Sequence, residues 1–180
     1  YTYLPSFIGR NYVLPASLTN GSTNGIIIMN VYNEELLRLL AACPIPKVFF
    51  DTVTAVPAAE LNGDLILTEN YTSISKITEH LIKKGRKSFG FIGDINYAMS
   101  NFERFDGFSR TLLQHGLPVK PELNLTSSIG IDTYKEEIES FLDSLPSMPD
   151  AFVCASDYVG CILMQLLLKR GIRIPEDVAL

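Results

Sequence analysis

Residues 89–117, FGFIGDINYAMSNFERFDGFSRTLLQHGL, decide the fold class. The run FGFI at 89–92 is apolar without alternation, which suits a strand buried on both faces. From residue 102 the spacing changes to that of a helix. Phe105, Phe108 and Leu112 share one stripe up to residue 115, and Gly116 falls where such a helix should stop. Between strand and helix lies a polar loop, Asp94 to Asn101, with Tyr97 and Met99 interleaved.

The same unit of strand, polar tip and helix recurs in both directions. Continuous apolar runs stand at 26–29 (IIIM), 47–50 (KVFF) and 151–155 (AFVCA). Helical spacing follows at 33–42, with Leu36, Leu39 and Leu40 on one stripe, and at 72–84, with Ile74, Ile77, Leu81 and Ile82. Residues 158–170 are apolar nearly all round, and Gly85 and Gly171 mark further helix ends. Alternating strands and helices mean βαβ units and an α/β, doubly wound parallel sheet.

Such sheets bind ligands beyond the carboxyl ends of their strands. The four runs close on Asn30, Asp51, Asp94 and Ser156. Polar tips also arise simply because strands end at a surface. The 94–101 loop adds Tyr97, Ser100 and Asn101 to the same edge, and aromatic faces beside fixed donors are the lining a small polar ligand needs. Arg104 falls, on this reading, in the first turn of its helix, where the dipole disfavours a cation. It either points at a ligand or pairs with an acid such as Asp106 or Glu103. Asp157 is read chiefly as the cap of a helix beginning at Tyr158, with ligand contact secondary.

Composition narrows the function. The chain is 180 residues long, 47% hydrophobic and carries a formal charge of -5. That is ample material for a core and a poor charge for gripping phosphates alone. The KKGRK cluster at 83–87 reads as a solvated helix end. Cys43, Cys154 and Cys161 are odd in number and irregularly spaced, which suits a reducing cytoplasm better than a disulfide framework. No apolar run approaches the ~20 residues of a membrane span, and YTYLPSFIGR lacks the features of a signal peptide. The sequons at Asn20, Asn70 and Asn124 would matter only in a secreted protein.

Catalytic patterns are missing. His80 and His115 fall late in expected helices, away from the strand tips, so a Ser-His-Asp or Cys-His site has no base. No metal-ligand spacing and no phosphate-binding glycine loop follows any strand, and no cofactor is expected. Asp51, Asp94 and Asp157 could pair for glycoside hydrolysis or hold sugar hydroxyls. Binding without chemistry is the better reading.

In its ordered blocks the chain resembles the LacI/GalR family of bacterial transcription regulators. They are NGIIIM, IPKVFFDT, NYTSISKITEHLIKKGRKSFGFIGD, ERFDGFSRTLLQHGL and AFVCASDYVGCILMQLLLKRGIRIPEDVAL, covering about residues 24–180. The resemblance implies two Rossmann-like lobes with parallel sheets flanked by helices, as in type I periplasmic binding proteins, incomplete at both ends. Residues 1–69 would be part of the N-terminal lobe and 70–180 part of the C-terminal lobe. A small effector, most often a sugar, would sit between the lobes and modulate DNA binding.

Carried over by position, Arg104 matches the family arginine that contacts the effector, and Ser156 stands where an asparagine often reaches it. Asn70 stands at a hinge position that commonly faces the ligand. Tyr97 and Ser100 lie in the loop that varies with effector, and Asp51 and Thr52 end the strand whose next residue often stacks on it. The family implies a homodimer, and operator DNA read by a helix-turn-helix domain that is not in this chain. YVLPAS resembles the family's second strand, but only LTNGSTN leads from it to GIIIM, where the family has a full helix. The family's segment after Leu180 is also missing. Rival readings are a secreted sugar receptor serving a transporter, and an α/β sugar-modifying enzyme.

Overall fold

The computed structural model describes residues 2–9, 11–130 and 132–180. These divide into two compact units, Tyr1–Thr68 with Tyr97–Ser100, and Glu69–Asn96 with Asn101–Leu180.

In the first unit, β1 (Ile26–Met29), β2 (Lys47–Phe50) and β3 (Asp64–Ile66) form a parallel sheet in the order β1-β2-β3. Helix α1 (Glu34–Ala41) joins β1 to β2. Asn33 caps it, its side chain accepting the Leu36 N–H at 2.9 Å. Ile28 and Phe49 face Leu36, Leu37 and Leu40 in one core. The expected helix stripe is thus off by one residue: Leu37 is fully buried and Leu39 is exposed. The strands also depart from expectation. Ile27, Met29, Phe50 and Ile66 are exposed, so among the described residues only the α1 face of this sheet is covered. The YVLPAS segment is not a strand. Pro15 has no N–H for a ladder, residues 16–18 form a 3-10 turn, and Tyr12 and Leu14 beside it and Leu18 within it pack against the α1 core.

Lys47 anchors this unit from inside. Its buried Nζ donates to the carbonyls of Ala41 (3.1 Å), Cys43 (2.7 Å) and Asn62 (3.3 Å), closing the carboxyl end of α1.

In the second unit, β4 (Phe89–Ile92) lies between β5 (Asn124–Leu125) and β6 (Ala151–Cys154), all parallel. A further parallel bridge links Ala151 to Ala179. Alternation along the strands sends Phe89, Phe91 and Val153 to a core with Ile74 and Leu81 of α2 (Tyr71–Lys83) and Phe108 and Leu112 of α3 (Met99–Gln114). Ile92 and Phe152 meet Ile138 and Leu142 of α4 (Tyr134–Ser144) and Val159, Leu163 and Leu167 of α5 (Asp157–Lys169) on the other side. This sheet is therefore wound on both faces, as the continuous apolar runs imply. Phe91, Phe108 and Phe152 are at most 1% exposed, and burying each such side chain contributes roughly 1.5–3 kcal/mol. Gly85, Gly116 and Gly171 follow α2, α3 and α5 with φ of 89°, 70° and 74°, the left-handed helix ends the sequence implies.

Among the described residues no helix is long and apolar enough to cross a membrane. All three sequon asparagines are engaged: Asn20 accepts the Ser22 N–H at 3.0 Å. Asn70 is buried, and Asn124 stitches β5 to β4 by accepting the Phe91 N–H at 2.8 Å.

Candidate functional site

Each sheet presents polar groups at its carboxyl ends. In the first unit, Asn30 and Asp51 follow β1 and β2 with φ of 57° and 68°, a left-handed conformation that Asn and Asp tolerate better than most residues. The turn aims the Asp51 carboxylate at the start of α3. It accepts the Ser100 hydroxyl at 2.6 Å, the Ser100 N–H at 3.3 Å and the Thr52 N–H at 2.8 Å. The Met99 N–H donates back to the Thr52 carbonyl at 2.7 Å. Tyr97 lies with its ring centroid 4.5 Å from that of Tyr32. Thr52 is 1% exposed, and its Oγ1 has no hydrogen-bond partner among the described residues. Asp51, Thr52, Tyr97 and Ser100 are thus brought together.

In the second unit the centre is Arg104. Helix α3 starts at Met99, three residues before the expected start, so Ser100 and Asn101 belong to its first turn and Arg104 to its second. The dipole argument for Arg104 therefore lapses, and its partners carry the case instead. Its Nε and Nη2 donate to Asn70 Oδ1 at 3.0 and 2.8 Å, and its Nη1 donates to the Ala155 carbonyl just past β6. Asn70 is 3% exposed, and its Nδ2 donates to Glu103 at 2.9 Å, which fixes the orientation of the amide. Glu103 is thus a support for Asn70 rather than an ion-pair partner of Arg104. Among the described residues, three of the five guanidinium N–H donors are used, all on neutral acceptors.

The Asn70 side chain does not cap α2; another residue does. Glu69 accepts the Thr72 N–H at 2.5 Å, the Ser73 N–H at 2.9 Å and the Ser73 hydroxyl at 2.7 Å. The Ser73 hydroxyl, then the Thr72 backbone N–H, hold its carboxyl down at about 2. The sequence reading missed Glu69 and the roles of Glu103 and Ala155. An acid directly before a helix start is a legible cap signal; the other two depend on the tertiary fold.

Asp157 needs correction. The cap of α5 is Ser156, whose Oγ accepts the Val159 N–H at 3.3 Å, while Asp157 is the first helical residue and accepts its neighbour's N–H at 3.0 Å. The helix begins one residue earlier than expected, which shifts the cap accordingly. Asp94 is buried, bonded through Oδ1 to the Asn96 N–H, and its carbonyl accepts Asn101 Nδ2, both at 2.9 Å. Of the histidines, His115 is tied to the Thr111 carbonyl at 2.9 Å. Among the described residues no His/Cys/Asp/Glu group is arranged for a metal ion.

The periplasmic binding protein-like domain family matches residues 78–180, more than half of the chain. The chain belongs to that family. Catabolite control protein A of Staphylococcus aureus is 28% identical over 163 residues, covering 90% of this chain and 47% of that protein. Among solved structures, a transcriptional regulator CelR–cellobiose complex superposes with a TM-score of 0.78 at 24% identity, covering 91% of this chain and 50% of the other. A regulatory protein of the LacI family from Chloroflexus aggregans gives 0.70 at 17% identity, covering 91% and 58%. At such identities these two likenesses speak for the fold. The resemblance to LacI-family regulators thus holds in both sequence and fold. The chain spans about half the length of the curated relatives it matches.

Proposed function

We propose that this periplasmic binding protein-like chain is the effector-sensing part of a cytoplasmic LacI-family transcriptional regulator, that it binds a sugar without transforming it, and that binding modulates operator affinity. The observation that carries the reading is Arg104, held at the carboxyl ends of β4 and β6 by an amide and a peptide carbonyl, with N–H donors left for ligand hydroxyls. Asn70, Ser156 and Asp157 accompany it in the second unit. Asp51, Thr52, Tyr97 and Ser100 form the contact set of the first.

Two observations favour binding over turnover. The Asp51 carboxylate is committed to the Thr52 N–H and to the N–H and hydroxyl of Ser100, and His115 is bound to its own helix. The relatives are also named as regulators rather than transport receptors. In the whole protein we assign operator contact to a helix-turn-helix domain and expect a homodimer, the ligand acting through its different affinity for two states.

Titration calorimetry of the intact protein with a panel of mono- and disaccharides, with Arg104→Ala as control, tests this. The expected result is a sugar recovered unchanged that binds the wild type and is lost in the variant; at ~100 times its dissociation constant it should add about 2.7 kcal/mol of stability. Chemical conversion of the bound sugar, or binding indifferent to Arg104, would overturn the reading.

A further inference from the structure

We propose that Gly107 is a positioning residue that sets the distance between Asn70 and Arg104; the inference rests on the reading of Arg104 as the ligand anchor. Glycine is disfavoured inside a helix, yet Gly107 is buried in the middle of α3, three residues after Arg104 and four after Glu103. Its place is explained by what lies against it. A Cβ at residue 107 would stand 2.5 Å from the Tyr71 carbonyl oxygen and 3.2 Å from the Tyr71 C and Cα atoms. These are backbone atoms of the residue next to Asn70, so no side-chain rotation relieves the overlap.

The contact is held from both helices. The Gly107 carbonyl accepts the Thr111 hydroxyl of α3 at 2.7 Å and the Ser75 hydroxyl of α2 at 3.4 Å. Restoring ordinary contact of roughly 3.5 Å moves the start of α2 away by roughly 1 Å. The two Asn70–Arg104 bonds, at 2.8 and 3.0 Å, then pass beyond hydrogen-bond length. The guanidinium keeps the Ala155 carbonyl but loses the amide acceptor that holds its Nε and Nη2. The missing side chain at 107 therefore acts on the site through Asn70, without touching a ligand.

The test reads the bond itself and needs no ligand. In arginine-edited proton–nitrogen spectra of this chain, the Arg104 Nε–H signal is assigned by its loss in Arg104→Lys. The Arg110 Nε–H, bonded to Asp106 at 2.7 Å on the same helix, is the internal control. In Gly107→Ala the Arg104 Nε–H should exchange with water at least about ten-fold faster, a loss of about 1.4 kcal/mol of protection, while Arg110 is unchanged. Asn70→Ala should give the same acceleration, and the double variant no more. If Gly107→Ala folds only in the presence of trimethylamine N-oxide, which favours the compact state, the same signal is read there. Unchanged Arg104 exchange in a folded Gly107→Ala chain overturns the proposal. That failure would leave the sugar-binding reading standing, which falls instead if the wild type binds no sugar.

Discussion

Thr52→Val is expected to make the chain more stable. The Thr52 side chain is 1% exposed and its hydroxyl has no partner among the described residues. A buried, unsatisfied hydroxyl costs about 1–3 kcal/mol. Valine has the same branched shape and the same restricted χ1, and the exchange adds the burial of an apolar group. The backbone around it is untouched, since the Thr52 N–H bond to Asp51 and the Met99 N–H bond to the Thr52 carbonyl do not involve the side chain. A gain of about 1–2 kcal/mol follows, which raises the melting temperature by roughly 2–8 °C at 2–4 °C per kcal/mol.

Urea unfolding followed by circular dichroism measures it, with Thr111→Val as the matched control. Thr111 is 2% exposed but its hydroxyl donates to the Gly107 carbonyl at 2.7 Å, so the same exchange there should be neutral or destabilising. If Thr52→Val is no more stable than wild type while the control behaves as stated, the hydroxyl is satisfied in solution and the reasoning is refuted. If the gain appears together with loss of sugar binding, the hydroxyl is a binding group whose cost in the free protein is repaid on ligation.

Three further outcomes are expected. Because Glu69 is held at about 2 against an ordinary 4.5, chiefly by the Ser73 hydroxyl, its contribution is present above pH ~4.5 and is lost as pH falls toward 2. Glu69→Gln should therefore flatten the acid limb of a melting-temperature profile and leave Asn70 on a frayed helix start; an unchanged profile would remove Glu69 as the cap. Lys47→Met removes the donor shared by three carbonyls and should cost about 1–3 kcal/mol in a urea melt, whereas a neutral or stabilising result would show that the buried amine contributes nothing net. Finally, burial pushes the Cys154 thiol up to about 12 while Cys161 is exposed. Iodoacetamide at pH 8 followed by mass spectrometry should label Cys161 well ahead of the half-buried Cys154; equal labelling of the two would contradict the raised Cys154 thiol.

The elements that carry the fold are legible from local pattern. IIIM, KVFF and FGFI are strands at the residues where their apolar runs stand, because a short continuous apolar run is stable as a strand with at least one face buried. Helix α4 was legible too, from Glu136 and Glu137 in its first turn and the Ile138–Leu142 spacing, although the sequence reading passed over it. The short strands β3 and β5 were not, since two or three residues with one polar end carry no period to read. Burial on only one face of the first sheet lay beyond sequence as well, because Ile27 and Phe50 look as apolar as Ile28 and Phe49.

The site divides the same way. Composition and family pattern single out Arg104, Asn70, Asp51 and Thr52 by residue type and position. What each one touches is a long-range matter. Arg104 meets Asn70 across 34 positions of sequence and the Ala155 carbonyl across 51, and Asp51 meets Ser100 across 49. Hydrogen bonds are decided within a few tenths of an ångström, and at Arg104 those distances are set where α2 comes to rest against α3 at Gly107. The sequence by itself determined which residues stand at the strand ends, and only the packing of helix on helix decided which of them hold one another.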